Sequence, residues 1–164
     1  MSDGSAAGAD GVDFVVVAYR EEGVWQVDRL ADDTAVDVDT LAAELRRWPG
    51  DGGALGLVSV DEDFCLLVRV LGARTLVLLS DVTAATDWPI ARSALNFLDL
   101  PLPDDEDQEP AGDLGIVADL GIDAMDMGAL LDDYDLYPDE VLGDIASRLG
   151  FGRAFEETVG VAAT

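Results

Sequence analysis

Ala54-Leu-Gly-Leu-Val-Ser-Val-Asp-Glu-Asp-Phe-Cys-Leu-Leu-Val-Arg-Val-Leu-Gly-Ala-Arg-Thr-Leu-Val-Leu-Leu-Ser80 is the stretch that decides the fold. Three apolar, β-branched runs, Ala54 to Val60, Phe64 to Leu71 and Thr75 to Ser80, are separated only by Asp61-Glu62-Asp63 and Gly72-Ala73-Arg74. A parallel pair needs a crossover of about a dozen residues or more, so connections this short permit only antiparallel neighbours.

Working outward, Phe14-Val-Val-Val-Ala-Tyr19 is an apolar run that reads as a central strand covered on both sides. Glu21-Glu22-Gly23 then makes a turn and Val24 to Leu30 alternates, so the first two strands form a hairpin. Asp37 is placed to cap a helix whose apolar residues Val38, Leu41, Leu45 and Trp48 follow helical spacing, with Pro49-Gly50 as its stop. On the far side of the strands, Thr86 or Asp87 can cap a second helix with Pro89 in its first turn and Ala91, Ala94, Leu95 and Leu98 as its stripe.

The resulting order, ββαβββα, predicts an α+β fold: a five-stranded antiparallel sheet with helices on one face, in which the first and last strands could meet at the centre. Longin, roadblock and profilin-like domains share this order, as do some secretion-chaperone-like folds in broad outline. Such scaffolds are used mostly to hold other proteins, an analogy of pattern.

Residues 1–11 are small and polar and predict a disordered N-terminus ahead of an α+β domain over 12–100. Pro101-Leu-Pro-Asp-Asp-Glu-Asp-Gln-Glu-Pro110 cannot bury itself, so 101–113 reads as an exposed acidic linker. Residues 114–164 read as a helical extension packing on the domain. In it Leu114 to Leu120 is a short strand or an irregular apolar segment, and Asp123 to Leu131 and Pro138 to Leu149 are helical with Gly150 as a stop. Phe151 and Phe155 follow, able to pack back.

The charge is lopsided. Between Arg92 and Arg148, 55 residues carry 16 carboxylates and no basic side chain, out of a net charge of −26 for the 164-residue chain. Yet 49% of residues are hydrophobic, so the acid must clothe a folded surface. This charge opposes direct binding to nucleic acid or an anionic bilayer, whose affinity rests on cations. A basic protein or a divalent cation is the natural partner, while solubility, or adaptation to a salty cytoplasm, is the plainer account of the same charge. No apolar run approaches the roughly 20 residues that span a bilayer, and no signal peptide is evident, so the cytoplasm is expected.

Many chemistries lack their groups. The chain has no His, no Lys and a single Cys65, set in an apolar run. Zinc sites, Ser-His-Asp and Cys-His systems and a Walker A loop are therefore excluded, and no cofactor is expected. Carboxylates alone could hold Mg²⁺ or Ca²⁺ or form an acid/base pair, which keeps a divalent-cation binder or carboxylate-based enzyme as the alternative. Asp61-Glu62-Asp63 and Asp132-Asp133-Tyr134-Asp135 do not match the calcium-loop spacing.

The segment Leu131-Asp-Asp-Tyr-Asp-Leu-Tyr-Pro-Asp-Glu-Val-Leu142 mixes acids with anchoring aromatics, a combination suited to a basic groove. Asp132, Asp133, Tyr134, Asp135, Tyr137, Asp139, Glu140 and Asp144 are its candidate contact residues. The simpler account is that Tyr137-Pro138 starts a helix and the acids cap it.

Phe14-Val-Val-Val-Ala-Tyr-Arg-Glu-Glu-Gly-Val-Trp25, Leu76-Val-Leu-Leu-Ser-Asp-Val-Thr-Ala-Ala-Thr-Asp-Trp-Pro89 and Tyr137-Pro-Asp-Glu-Val-Leu-Gly-Asp-Ile-Ala-Ser-Arg-Leu-Gly150 resemble the actinobacterial tRNA adenosine deaminase-associated proteins, over roughly Val12 to Thr158. The resemblance implies association with a tRNA adenosine deaminase and supplies no catalytic residues. Such a deaminase needs a zinc signature that this chain lacks. The resemblance and the charge together point to a noncatalytic adaptor or regulator using its acidic half against that enzyme or another basic partner. Two free sheet edges would also allow a homodimer.

Overall fold

Side-chain parity along the strands assigns the two faces of the sheet. The computed structural model describes residues 11–48, 53–103, 109–133 and 136–159. The strands are β1 (Val12–Glu21), β2 (Val24–Leu30), β3 (Ala54–Val60), β4 (Phe64–Leu71), β5 (Arg74–Leu79) and β6 (Ala111–Gly112). The helices are α1 (Val38–Leu45), α2 (Pro89–Phe97), α3 (Ala124–Leu131), α4 (Pro138–Leu149) and α5 (Gly152–Val159). The expected disordered N-terminus falls outside the described residues except at Gly11, as do the Pro49-Gly50 stop and residues 104–108 of the expected linker.

The α+β class and the antiparallel sheet follow the sequence, but the sheet has six strands, not five, in the order β2-β1-β3-β4-β5-β6. The added strand is Ala111–Gly112, whose two residues pair with Leu79 and Leu78. A two-residue strand has no periodicity to announce it. The first strand also does not meet the last: β1 lies between β2 and β3 and is antiparallel to both. β2 and β3 therefore run parallel, and α1 carries the crossover between them.

The β1–β2 hairpin closes through Glu22 (φ 52°) and Gly23 (φ 81°), the paired positive φ angles of a turn that matches strand twist. Nothing lies near a Cβ built on Gly23, so its backbone angle, not its space, calls for glycine.

Both faces are buried. Val15, Val17, Val58, Leu66, Val68 and Leu79 point to one side, under α1 and α2. Phe14, Val16, Leu55, Leu57, Leu67 and Leu78 point to the other, under α3, α4 and α5. The expectation of helices on one face is thus corrected. β3 is buried at every position, because its apolar residues occur at both parities and each parity needs its own cover.

Local signals explain most helix ends. Asp37 Oδ1 accepts from the Thr40 N–H at 2.7 Å and so caps α1, as its position predicts. Neither Thr86 nor Asp87 caps α2. A 3-10 turn over Val82–Thr86 uses that stretch, Asp81 caps the turn, and Trp88 precedes Pro89 at the first helical position. The Ser93 hydroxyl accepts from the Val38 N–H at 3.0 Å and donates to Ile90 O at 2.7 Å, tying α2 to the start of α1. Leu114 to Leu120 is irregular, with a 3-10 turn at Ala118–Leu120. Asp123 accepts from the Asp126 N–H and caps α3, and Gly150 ends α4 at φ 109°. Phe151 and Phe155 are both buried against the second face, with the Phe155 ring edge-on to Phe14 at 5.6 Å.

Candidate functional site

The acids meet at one end of the sheet, where the β3–β4 turn, the exit of β5 and the α3–α4 connection come together. A cleft of about 250 Å³ opens there. Phe64, Cys65, Leu131, Leu136 and Val141 give it an apolar lining, and Glu62, Asp63, Asp81, Asp133 and Tyr137 supply its polar groups.

The turn that carries Glu62 and Asp63 is bolted in place. Asp13 Oδ2 accepts from the Ser59 hydroxyl and from the Glu62 N–H, each at 3.0 Å, and the Asp61 N–H donates to Gly11 O at 2.8 Å. Asp61 (φ 50°) and Glu62 (φ 52°) both sit in the left-handed region, which costs a side-chain-bearing residue about 1–2 kcal/mol each. Two acidic side chains are thus held at a position where Gly or Asn would be cheaper.

Asp81 is 7% exposed and accepts from the Thr83 N–H (2.9 Å) and hydroxyl (2.7 Å), so its negative end is fixed beside the cleft. The Asp63 carboxyl is raised above its ordinary range. Partial loss of water is the main cause, the Trp88 indole hydrogen bond works against it, and Asp81, Asp61 and Asp87 add repulsion. A cation brought to this end of the sheet relieves that repulsion.

Cys65 belongs to the lining and is 3% exposed, with its N–H donating to Ser80 Oγ at 2.9 Å. Burial pushes its thiol up to about 12. A thiol so placed is a packing group, not a nucleophile. Native protein is expected to react with a thiol reagent at neutral pH at least about 100-fold more slowly than denaturant-unfolded protein. Fast labelling of the folded chain in a colorimetric assay would contradict this burial.

Of the eight residues singled out in the sequence, the structure brings two into the cleft, Asp133 and Tyr137, the latter 58% exposed. Tyr134 and Asp135 lie outside the described residues. Asp132 is the exposed C-cap of α3. Glu140 Oε1 accepts from the Tyr137 N–H at 2.8 Å, and Asp144 pairs with Arg148 at 3.2 Å, so these two serve α4 itself. Asp139 sits half-buried in the first turn of α4. Sequence reasoning missed Glu62, Asp63 and Asp81 as neighbours of this segment. Pairing Phe64 with the strand that ends at Leu79 would have placed all three at one sheet end.

Among the described residues no group of three or more His, Cys, Asp or Glu is placed to hold a metal ion. No helix among them is long and apolar enough to cross a membrane.

Fold and site together define an α+β protein whose antiparallel sheet is clad by helices on both faces and which carries an acidic cleft at one end of that sheet. The chain belongs to the family of Rv3753c-like tRNA adenosine deaminase-associated proteins, whose model matches residues 13–152. It is 40% identical over 142 residues to Protein Rv3753c of Mycobacterium tuberculosis (strain ATCC 25618 / H37Rv), covering 84% of this chain and 82% of that protein. No solved structure matches it.

Proposed function

We propose that this protein is a noncatalytic adaptor or regulator that offers its acidic cleft to a basic protein, and that the partner is the tRNA adenosine deaminase for which the family is named. The supporting observation is the cleft itself: carboxylates from three separate chain segments around an apolar lining, with Tyr137 exposed beside them. That arrangement suits a basic side chain, whose aliphatic stem packs on Leu131, Leu136 and Val141 while its charge meets Glu62, Asp63 and Asp133. The net charge of −26 would steer encounter with a positive surface and keep tRNA off this chain. In this reading the protein would work where its tRNA-acting partner does, in the cytoplasm.

Size-exclusion of the purified chain with the deaminase of the same organism tests this. At low salt the two are expected to comigrate at micromolar concentration, and about 0.5 M salt should separate them. The pair Asp63→Asn and Asp133→Asn should weaken binding by about tenfold or more, since rim charges act largely through encounter. Because partial burial raises the Asp63 carboxyl, its charge is lost at a higher pH than an ordinary carboxylate's, and binding should weaken as pH falls through that raised value. Independent migration at low salt would sink the adaptor reading.

A further inference from the structure

We propose that the outer edge of β2 is a self-association surface, at which a second copy of this chain adds antiparallel so that the two sheets continue as one. β2 ends the sheet, and its seven residues contrast with the two of β6 at the opposite edge. Among the described residues no strand pairs with its outer side, and an edge of this length presents a row of backbone donors and acceptors.

The hairpin register fixes which groups those are. A two-residue turn joins Glu21 to Val24, and the residues flanking such a turn exchange hydrogen bonds. Bonding toward β1 then recurs at Gln26, Asp28 and Leu30, which leaves Trp25, Val27 and Arg29 with their N–H and C=O directed outward. One side of the strand is also open. Val24 is 58% exposed, and Gln26 and Asp28 beside it on the same face are exposed too.

The edge itself carries no net charge that would call for a basic partner, and it can meet a copy of itself without opposing like charges. In a protein with a net charge of −26, β2 carries one Asp and one Arg and sums to zero. It contains no proline, and its pairing with β1 is in step throughout. A two-fold axis through Val27 is the self-pairing that uses all three outward residues, giving about six backbone hydrogen bonds. In that register Asp28 faces Gln26 of the copy, Arg29 faces the Trp25 ring, and Val24 faces Leu30. Moving the axis to Asp28 would set two aspartates against each other. The association goes beyond the adaptor role and uses a strand that contributes no residue to the cleft.

Sedimentation of the full chain, from about 10 µM to about 0.5 mM in about 0.5 M salt, reads it directly. A concentration-dependent dimer is expected, weakening at low salt as the like net charges are unscreened. Val27→Pro removes one outward donor at an edge position that tolerates proline, and should give a monomer with a melting temperature near that of the parent. The register is tested by Gln26→Cys and Asp28→Cys proteins. Mixed and oxidised, they should crosslink to each other, whereas neither should crosslink alone, because identical positions lie beyond disulfide reach. This second experiment decides the matter if the proline variant fails to fold. A monomer throughout the concentration range, a dimer untouched by Val27→Pro in a folded protein, or crosslinking of either cysteine variant alone would each overturn the proposal.

Discussion

A chain ending at Pro110 is expected to be insoluble or unfolded, although it keeps five of the six strands and the two helices of the first face. The lost segment holds α3, α4 and α5, which together cover Phe14, Val16, Leu55, Leu57, Leu67 and Leu78. At about 1.5–3 kcal/mol for each such side chain returned to water, the six amount to about 9–18 kcal/mol. Total stability of a domain is about 5–15 kcal/mol, so the remainder has nothing left to hold it folded. The exposed face would also be a broad apolar patch, which drives aggregation. Soluble yield, circular dichroism and the labelling rate of Cys65, which lies on that face, measure the outcome. A soluble 1–110 fragment melting cooperatively would show instead that the C-terminal helices are a separable appendage. The point variant Phe155→Ala should cost about 3–5 kcal/mol in the full chain, since it removes one of the larger buried side chains and its edge-on contact with Phe14.

That dependence was written in the sequence more plainly than the one-faced expectation admits. Phe14 to Tyr19, Leu55 to Val60 and Phe64 to Leu67 are apolar at odd and even positions alike, and a strand of that kind needs cover on both sides. A doubly covered β1 already requires helices on both faces, which the analogy to one-faced sheets does not supply. Strand existence, the hairpin and the Asp37 and Gly150 helix boundaries were legible because each rests on local chemistry: period, turn residues, caps. Strand order was not, since it depends on which strand α1 carries the chain past. The cleft was half legible. Asp133 and Tyr137 stood out by composition, whereas Glu62, Asp63 and Asp81 join them only through the pairing of β3, β4 and β5. In a chain with 35 acids, composition cannot separate Asp133, at the cleft, from Asp144, which pairs with Arg148 along α4.

Asp119→Ala should lower stability by about 2 kcal/mol, or about 4–8 °C in melting temperature for a chain of this size. The reason lies in Arg69, which sequence reading passed over as one residue in an apolar strand. It shares the second face of the sheet with Cys65 and Leu67, is 2% exposed, and is held by a two-pronged ion pair with Asp119 at 2.6 and 3.0 Å and by Ile116 O at 3.0 Å. Removing one member of a fully buried pair costs about 3–5 kcal/mol, mostly for the stranded charge. Here the figure is lower, because the Asp119 side chain is 60% exposed and Arg69 keeps its carbonyl acceptor. Arg69→Met should cost less than Asp119→Ala, since it takes the charge away with its partner's purpose and leaves an apolar stem on an apolar face. The pH dependence carries a definite sign. Hydrogen bonding from Arg69, with its charge, holds the Asp119 carboxyl below the usual carboxylate range despite partial burial. A carboxyl lowered on folding stabilises fully above its unfolded value, about 3.9, and loses that contribution as pH falls through the lower folded value. Melting curves of parent and Asp119→Ala should therefore differ most at neutral pH and converge below about pH 4. Protonation of the many other acids acts on both proteins alike, so the difference between them isolates this one pair. A gap that stays constant down to the acid limit would mean that Asp119 supports the fold by packing and not by its charge.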